Sequence, residues 1–450
     1  MIRRFHVSGH QKELLRTNLW LVPALLVLAA IGLFVITLLI DQAAFHGDLS
    51  LPSWVISGSA DAARQILTTI AAAIITVVGV VFSIVIVALT LVSTQFGPRM
   101  LRTFIRDRGT QLTLGTFVAT FVYAVLALVS IGGAGPHGTF VPHVSITVTI
   151  ALTVVDLAVL IYFIHHIATE IQLPGVIAGI SADLSAAIEE YMGDGAARPG
   201  DPTVAAVLAS LPEEGGDVLA SDSGYLQYIH RRTLLRIAEQ ADAVIFLRYR
   251  PGHFLAQGSP LATVWPASAA PGVARELTRA HLTGPFRTLA QDVSFGIDQL
   301  VEIAIRALSS AINDTFTGLT CVDWLSDSLC KVAGRWQPAQ VHRDQAGAVR
   351  VITPEPTYDR LVQRAFEKIR QSSRGNPAML IRLLDGLTRI MERTTAEDQR
   401  RVLLDQAAMI IQASDESVPD APDRADVRRQ YEALLAVRAH LADEPLAASG

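Results

Sequence analysis

Residues 66–94 read ILTTIAAAIITVVGVVFSIVIVALTLVST, and this uncharged stretch decides the fold class of the chain. A helix rises about 1.5 Å per residue, so the stretch would extend roughly 44 Å and must tilt or protrude from about 30 Å of hydrocarbon. Three further apolar stretches, residues 19–40, 112–131 and 144–164, are also long enough to cross a bilayer. The sequence therefore predicts four membrane-spanning helices in its first 171 residues.

The composition divides the chain into a membrane part and an aqueous part. Half of the 450 residues are hydrophobic, 18% are charged, and the mean hydropathy is +0.37. Soluble globular proteins carry about 25% charged residues, so soluble, disordered and disulfide-stabilised classes are excluded. Cys321 and Cys330 have neither CxxC spacing nor a nearby histidine pair, which predicts reduced thiols.

Basic residues near the predicted spans are distributed unevenly. The leader at 1–18 and the connection between the second and third spans are rich in them, whereas Arg64 alone lies on the opposite side. The positive-inside rule then places both termini in the cytoplasm of a bacterial cell, with the protein in the inner membrane. The aqueous part is acidic, which argues against nucleic acid as a partner. The basic residues are Arg3, Arg4, Lys12, Arg16, Arg99, Arg102, Arg106 and Arg108.

The second span carries hydroxyl side chains at seven-residue intervals, namely Thr69, Thr76, Ser83 and Thr90. This interval keeps the four residues on one slowly drifting helix face. Small hydroxylated residues let neighbouring helices approach closely, and this interpretation is favoured. The same face could instead line a hydrated path around a symmetry axis, and the pattern is compatible with both interpretations.

A second polar row follows the fourth span, where Ser145, Thr149, Thr153 and Asp156 share a helix face. Asp156 is the ionisable residue within the four apolar cores, and an unpaired carboxylate there costs several kcal/mol. It should therefore face the helix bundle or water, either as a functional site or as a hydrogen-bonded structural residue. Third-span hydroxyls that could satisfy it belong to Thr116, Thr120 and Tyr123.

The fourth span ends in a polar boundary that contains His165, His166 and Glu170. The spacing of His166 and Glu170 could hold a metal ion from one helix face. Two ligands are weak support for a metal, so the interpretation is an interfacial polar belt and no metal is predicted.

The connection between the second and third spans reads QFGPRMLRTFIRDRGTQ at 95–111. Pro98 suits the first turn of a new helix, and a helix over 99–108 would lie in the membrane interface. Arg99, Arg102 and Arg106 would then share one face. Contact with lipid phosphates or with the aqueous domain is favoured over concentrating anions at a pore mouth.

Several of these segments resemble a bacterial family of predicted membrane proteins that contain a domain of unknown function. The residues concerned are FSIVIVALTLVSTQFGPRMLRTFIRDRGTQLTLGTFVATFVYA at 82–124 and LIYFIHHIATEIQ at 160–172. Segments SGYLQYI at 223–229, RPGHFLAQGSPLATVW at 250–265 and QDVSFGIDQLVEIAIRALSSAINDTFTGLTCVD at 291–323 are similar to the same family. The resemblance covers most of residues 10–330. It implies a fold shared across bacteria and supplies no activity.

The predicted fold class is a membrane protein with four transmembrane α-helices, followed by a cytoplasmic α+β domain that has a small β unit and a C-terminal helical region. The predicted parts are a leader (1–18), a membrane domain (19–171), a helical extension and linker (172–200), an α+β unit (201–290) and a helical region (291–450). From residue 298 onward the chain is expected to be helical, with amphipathic helices near 358–372, 377–393, 396–413 and 425–441 and a loop at 414–423. The glycine-punctuated run at 251–265 is similar to turns of biotinyl carrier barrels but lacks their lysine, so no cofactor is predicted. Asn313 and Asp314 are a candidate ligand turn, although a capped helix hairpin explains them at less cost.

Phosphate-loop, GxSxG, HExxH and dinucleotide motifs do not occur in the sequence, so no enzymatic activity is predicted. The leading hypothesis is a channel-like homo-oligomer, embedded in lipid, that conducts a small ion or solute. In this hypothesis the cytoplasmic domain gates or assembles the channel. The alternative is a membrane-anchored ligand-binding or sensory scaffold with no conduction.

Overall fold

The computed structural model describes residues 21–96, 107–132, 134–135, 138–170, 173–193 and 202–443. The chain divides into two compact units, which meet in sequence between residues 172 and 173. Three predicted features lie outside the described residues: the leader at 1–18, residues 194–200 of the helical extension and linker, and the arginines Arg99, Arg102 and Arg106.

The first unit is a bundle of long apolar helices. Within the described residues, four helices are long and apolar enough to cross a membrane, which confirms the four predicted spans. The helix α3 packs against each of the other three and is the most buried of them. A short antiparallel hairpin, β1 (Ala134–Gly135) and β2 (Gly138–Thr139), precedes the last helix. The helices are α1 (Leu21–Phe45), α2 (Ala60–Phe96), α3 (Arg108–Ser130) and α4 (His143–Glu170).

Small residues allow α3 to occupy the centre of this bundle. A side chain at Gly115 would come within 2.9 Å of the Pro23 Cα atom on α1. A side chain at Gly109 would come within 2.5 Å of the His166 Nε2 atom on α4. Glycine is therefore required at both positions because the neighbouring helices approach the α3 backbone directly.

The second unit contains two small sheets that share one apolar core. The larger sheet has the strand order β3-β7-β5-β10-β9, and the smaller has the order β6-β4-β8. Ile245 of β5 pairs with Val264 of the antiparallel β7 and with Val351 of the parallel β10, and all three are buried. Helices α7 (Arg231–Gln240) and α8 (Ala270–Leu277) flank these strands. The strands are β3 (Gly216–Leu219), β4 (Gly224–Ile229), β5 (Val244–Leu247), β6 (Phe254–Leu255), β7 (Pro260–Trp265), β8 (His281–Gly284), β9 (Val341–Arg343) and β10 (Val349–Ile352).

The strands β9 and β10 differ from the sequence prediction, which placed only helices after residue 298. They form an antiparallel pair around the turn at 344–348 and extend the larger sheet through β5. Gly347 has a φ of 86° in this turn, so the chain reverses where a side chain would be strained. Alternating apolar residues on both sides of a glycine turn were the missed hairpin signal.

Helices make up the rest of the second unit. The helices α9 and α10 pack against α5, while α12 packs against α10, α13 and α14. The α13–α14 connection is shorter than the predicted loop at 414–423, because α13 continues to Ser417 and α14 begins at Ala421. The helices are α5 (Leu173–Gly193), α6 (Val204–Ala209), α9 (Val293–Ala307), α10 (Thr315–Val332), α11 (Tyr358–Ser372), α12 (Pro377–Arg393), α13 (Glu397–Ser417) and α14 (Ala421–Asp443).

Candidate functional site

The hydroxyl row of α2 lies on the outer surface of the bundle. Thr69, Thr76, Ser83 and Thr90 are exposed, whereas the residues two positions earlier are buried. Two positions on a helix correspond to a rotation of about 200°, so the two rows occupy opposite faces. The buried row consists of Leu67, Ile74, Val81 and Ala88.

Each hydroxyl of this row donates a hydrogen bond to the carbonyl oxygen four residues earlier in α2. The oxygen–oxygen distances are 2.7, 2.7, 2.8 and 2.9 Å along the helix. The hydroxyls are thus satisfied by their own backbone, and the row needs no water. A shallow groove with a mainly apolar lining runs along this face from Thr76 to Leu91. A Cβ atom added at Gly79 would have no described side chain or other described helix within 4 Å.

The polar row of α4 points into the bundle. Ser145, Thr149 and Asp156 are buried and Thr153 is partly buried. Thr149 donates to the Ser145 carbonyl oxygen and Thr153 to the Thr149 carbonyl oxygen, each at 2.8 Å. This face of α4 therefore forms a polar strip inside the bundle, and Asp156, which is 3% exposed, is its one acid among the described residues.

The carboxyl group of Asp156 has only part of its hydrogen-bonding capacity filled. Thr120 on α3 donates to Oδ1 of Asp156 at 3.2 Å. The Oδ2 atom is buried and has no hydrogen-bond partner among the described residues. Thr116 donates instead to the Leu112 carbonyl oxygen, so Thr120 is the one of the three predicted hydroxyls that contacts Asp156.

A second buried acid, Asp41 of α1, was not recognised in the sequence. Its carboxylate accepts hydrogen bonds from the backbone amides of Val144 (2.7 Å) and Ser145 (3.0 Å) at the start of α4. An acid at this position is stabilised by the unpaired amides and the dipole of the helix N-terminus. The sequence signal was an acidic residue at the end of an apolar span, and its contact with the start of α4 appears only in the folded bundle.

Hydroxyl groups connect Asp41 to the centre of α3. The Ser145 Oγ atom lies 2.7 Å from Asp41 Oδ2 and 3.1 Å from Thr37 Oγ1. The Thr37 Oγ1 atom in turn lies 2.7 Å from the Tyr123 hydroxyl, which is fully buried. Tyr123 and Thr120 are three residues apart, so they share one face of α3.

A cavity of about 560 Å³ opens beside Asp41 at the end of the bundle where α1 ends and α2 begins. Asp41 and His143 contribute titratable groups to its wall, and Ser59 and Thr139 contribute hydroxyls. We call this cavity the vestibule. Its volume accommodates many water molecules, so the cluster at Asp41 lies next to hydrated space.

The opposite end of the bundle holds an aspartate–histidine pair. Asp107 caps α3 by accepting hydrogen bonds from the amides of Gly109 (3.2 Å) and Thr110 (2.7 Å). The Nε2 atom of His166 on α4 lies 2.8 Å from Asp107 Oδ2, and the Tyr162 ring stacks on the imidazole. His166 is therefore engaged by Asp107, and among the described residues no group of three His, Cys, Asp or Glu side chains could hold a metal ion.

An apolar layer separates Asp156 from this pair. Phe117 of α3 and Phe163 of α4 are buried and belong to one cluster with Ile74 and Val81 of α2. Phe117 lies between Asp107 and Thr120 along α3, and Phe163 lies between Asp156 and His166 along α4. We call these four residues the phenylalanine layer.

The candidate residues predicted from the sequence thus occupy two separate places in the membrane unit. Thr149, Thr153 and Asp156 lie in the interior, whereas the hydroxyl row of α2 lies on the outer face. In the second unit, Asp314 caps α10 by accepting a hydrogen bond from the Thr317 amide at 3.1 Å. Asn313 precedes it with a φ of 53°. A helix cap accounts for both residues of this turn.

Buried titratable groups of the second unit meet around Glu355. The Thr353 hydroxyl donates to Glu355 Oε1 at 3.0 Å, and an Arg231 nitrogen lies 3.5 Å from the same oxygen. Burial raises the pKa of Glu355 to about 8. Burial and the charge of Arg231 lower the pKa of His342, which bonds to Thr353, to about 4. The cavity beside Glu355 measures about 10 Å³, which is the space of a single water molecule.

These features define a multi-pass membrane protein with a polar interior, followed by a unit of helices and two small sheets. The chain belongs to the family described as predicted membrane protein (DUF2254), whose model matches residues 16–389. It is 31% identical over 379 residues to uncharacterized protein Rv1290c of Mycobacterium tuberculosis, covering 82% of this chain and 71% of that protein. Uncharacterized protein Mb1321c of Mycobacterium bovis is similar with the same identity and coverage. No solved structure matches the chain.

Proposed function

We propose that this protein is a homo-oligomer of the bacterial inner membrane that conducts a small ion. The second unit would lie in the cytoplasm, where it would assemble or gate the oligomer. The observation that carries conduction is Asp156, a buried carboxyl group with an unpartnered oxygen among the described residues of the bundle interior. Such a group costs several kcal/mol in a membrane, and intramembrane acids mark ion and proton pathways.

The outer face of α2 supports assembly with a second copy of the chain. Gly79 and Ser83 are four residues apart, a spacing of small residues that lets two membrane helices approach closely. Val80 and Val87 line the same groove and would supply packing contacts. Because the hydroxyls of this face bond to their own backbone, the face suits helix packing better than the lining of a water-filled axis. We therefore assign Thr69, Thr76, Ser83 and Thr90 to the assembly surface.

The experiment that tests conduction uses the purified full chain in sealed liposomes. An ion gradient and a membrane potential are imposed, and ion flux is compared with that of protein-free vesicles prepared in parallel. We expect a flux that increases with the amount of protein. Equal rates in vesicles with and without the protein would remove the proposal.

The alternative function, a membrane-anchored ligand-binding or sensory module, has weaker support. Its candidate turn at Asn313 and Asp314 is occupied by helix capping. The buried cluster at Glu355 leaves room for about one water molecule, so it suits a closed core rather than a ligand pocket. Conduction remains the function that the geometry favours.

A further inference from the structure

We propose that the conducted ion is the proton and that its path runs through the interior of each bundle. This inference rests on the proposed conduction and names its substrate and route. This path begins at the vestibule and ends at the phenylalanine layer, and we call the residues that form it the interior polar line. The line consists of Asp41, Ser145, Thr37, Tyr123, Thr120 and Asp156.

The first part of the line is a continuous chain of hydrogen bonds. Oxygen–oxygen distances of 2.7, 3.1 and 2.7 Å join Asp41 to Ser145, Ser145 to Thr37 and Thr37 to Tyr123. Thr37 also donates to the Phe34 carbonyl oxygen at 3.0 Å, so its hydroxyl hydrogen must turn from that carbonyl to Tyr123 before a proton passes. A hydroxyl group both donates and accepts, so each member can then take a proton from one neighbour while releasing its own proton to the next. Directly bonded hydroxyls transmit a proton, whereas a hydrated metal cation requires continuous water-filled space. The chain therefore selects the proton.

The vestibule supplies this chain with water at its outer end. Asp41 lines the cavity while its side chain bonds to Ser145, so one group contacts both hydrated space and the buried chain. Water delivers a proton to the Asp41 carboxylate, which becomes a carboxylic acid. The acid then passes a proton to the Ser145 hydroxyl as Ser145 releases one to Thr37 and Thr37 releases one to Tyr123, and Asp41 returns to the carboxylate form. Tyr123 has no direct hydrogen bond to Asp156 among the described residues, so a water molecule between them takes the Tyr123 proton and gives one to Asp156, and every hydroxyl again carries one proton.

Asp156 is the residue that binds the proton inside the bundle. Thr120, its hydrogen-bond donor, lies one helical turn from Tyr123 on the same face of α3, an axial separation of about 4.5 Å. The group shown to contact Asp156 from α3 is the hydroxyl of Thr120, and Asp41 is the other buried acid among the described residues of the membrane unit. Protonation at Oδ2, the atom without a partner among the described residues, converts the carboxylate to a neutral acid and removes the buried charge.

The phenylalanine layer blocks release of the proton from Asp156 toward the Asp107–His166 end of the bundle. Phe117 and Phe163 lie between Asp156 and the Asp107–His166 pair, and both rings are buried. A proton leaves Asp156 only when water enters between these rings. That water carries the proton to the His166 imidazole, which passes it to solvent and regains its starting state.

The test measures proton entry into liposomes that contain the full-length protein and a trapped pH-sensitive dye. A potassium diffusion potential drives the proton, and potassium flux is recorded separately without the potassium carrier. We expect acidification with wild-type protein and a rate equal to that of protein-free vesicles with Asp156→Asn. The control Asp61→Asn alters an exposed acid at the start of α2 and should retain the wild-type rate.

A second variant tests the route if Asp156→Asn fails to yield a monodisperse protein. Phe117→Ala shortens the barrier and should accelerate proton entry several-fold, because the layer then admits water. Proton flux that is unchanged in both Asp156→Asn and Phe117→Ala would overturn the route while leaving conduction intact. A wild-type protein that passes potassium but no protons would overturn the substrate. Absence of any wild-type flux would instead remove the proposed function itself.

Discussion

Two buried acids of the membrane unit show how context gives one residue type different roles. Asp41 accepts hydrogen bonds from two backbone amides and lies near the Ser145 hydroxyl, so its carboxylate is well satisfied. Asp156 accepts one hydrogen bond, from Thr120, and has a buried oxygen without a partner among the described residues. The donors around Asp41 favour its carboxylate form, so Asp41 stabilises the start of α4 and carries a proton only in passing, whereas the unpartnered oxygen of Asp156 can hold one. This difference is why we assign ion binding to Asp156.

Replacement of Asp41 should weaken the membrane unit. Asp41→Ala leaves the amides of Val144 and Ser145 without their acceptor, at a cost of about 1–3 kcal/mol. Thermal unfolding of the full chain in detergent should therefore occur at a lower temperature than for wild type. The matched variant Asp48→Ala removes an exposed acid from the following connection and should leave the unfolding temperature unchanged. Equal unfolding temperatures for both variants would contradict the capping role of Asp41.

Glu355 should make the stability of the second unit decrease as the pH rises toward its folded-state pKa of about 8. With a pKa of about 8 in the folded state, Glu355 keeps its proton at neutral pH, whereas the unfolded chain releases it near 4.5. The folded state therefore binds more protons between about pH 4.5 and 8, so its stability falls over this interval and levels off above 8. His342 has a pKa of about 4 and contributes its pH dependence below about 6.5, so a comparison at pH 7 and above isolates Glu355.

The corresponding measurement compares the wild-type chain with Glu355→Gln at pH 7 and 8.5. Wild type should lose about 1 kcal/mol more unfolding free energy over this interval than the variant, because glutamine does not titrate. An equal loss in both proteins would show that Glu355 is ionised in the folded state at neutral pH.

At the scale of elements, the sequence predicts helices well where an apolar face and a cap coincide. The bounds of α11 and α12 match the predicted ranges 358–372 and 377–393, and Asn376 caps α12 through the Met379 amide. The strands β9 and β10 were not predicted, because their apolar runs are short and join a sheet only by pairing with β5, which lies far away in the sequence. The row of four hydroxyl residues at seven-residue intervals in α2 was likewise evident in the sequence. Its position on the outer surface was not, because that depends on which face of α2 packs against α3.

The outer face of α2 yields a prediction about assembly. Gly79→Leu adds a bulky side chain to the middle of the groove and should prevent close approach of a second copy. The oligomer should dissociate toward monomers, as measured by chemical crosslinking in membranes and by light scattering in detergent. Gly32→Leu is the matched control, since Gly32 lies on α1 and also has no described atom within 4 Å of its missing side chain. Identical behaviour of the two variants would exclude this face of α2 as the interface.

At the scale of the whole molecule, the sequence predicts the division into a membrane unit and an aqueous unit because charge and hydropathy change near residue 172. The interior polar line could not be predicted in full. Its members come from α1, α3 and α4, and their contacts arise only when these helices pack. Asp156 was visible as an isolated charge, while Asp41 looked like the polar end of a span. A buried path is therefore a property of the folded bundle rather than of any single helix.

The arrangement of the whole chain across the membrane is a further prediction. Four crossings within the described residues place the chain ends on one side, and the basic residues of the leader and of the 95–111 connection predict that this side is the cytoplasm. Green fluorescent protein fused after Gly450 should fluoresce, because it folds in the cytoplasm. Alkaline phosphatase inserted after Asp48 should be active, because this enzyme requires the oxidising periplasm. As a control, alkaline phosphatase fused after Gly450 should be inactive and green fluorescent protein inserted after Asp48 should not fluoresce. The reverse pattern would place the second unit outside the cell and would exclude a cytoplasmic gating role.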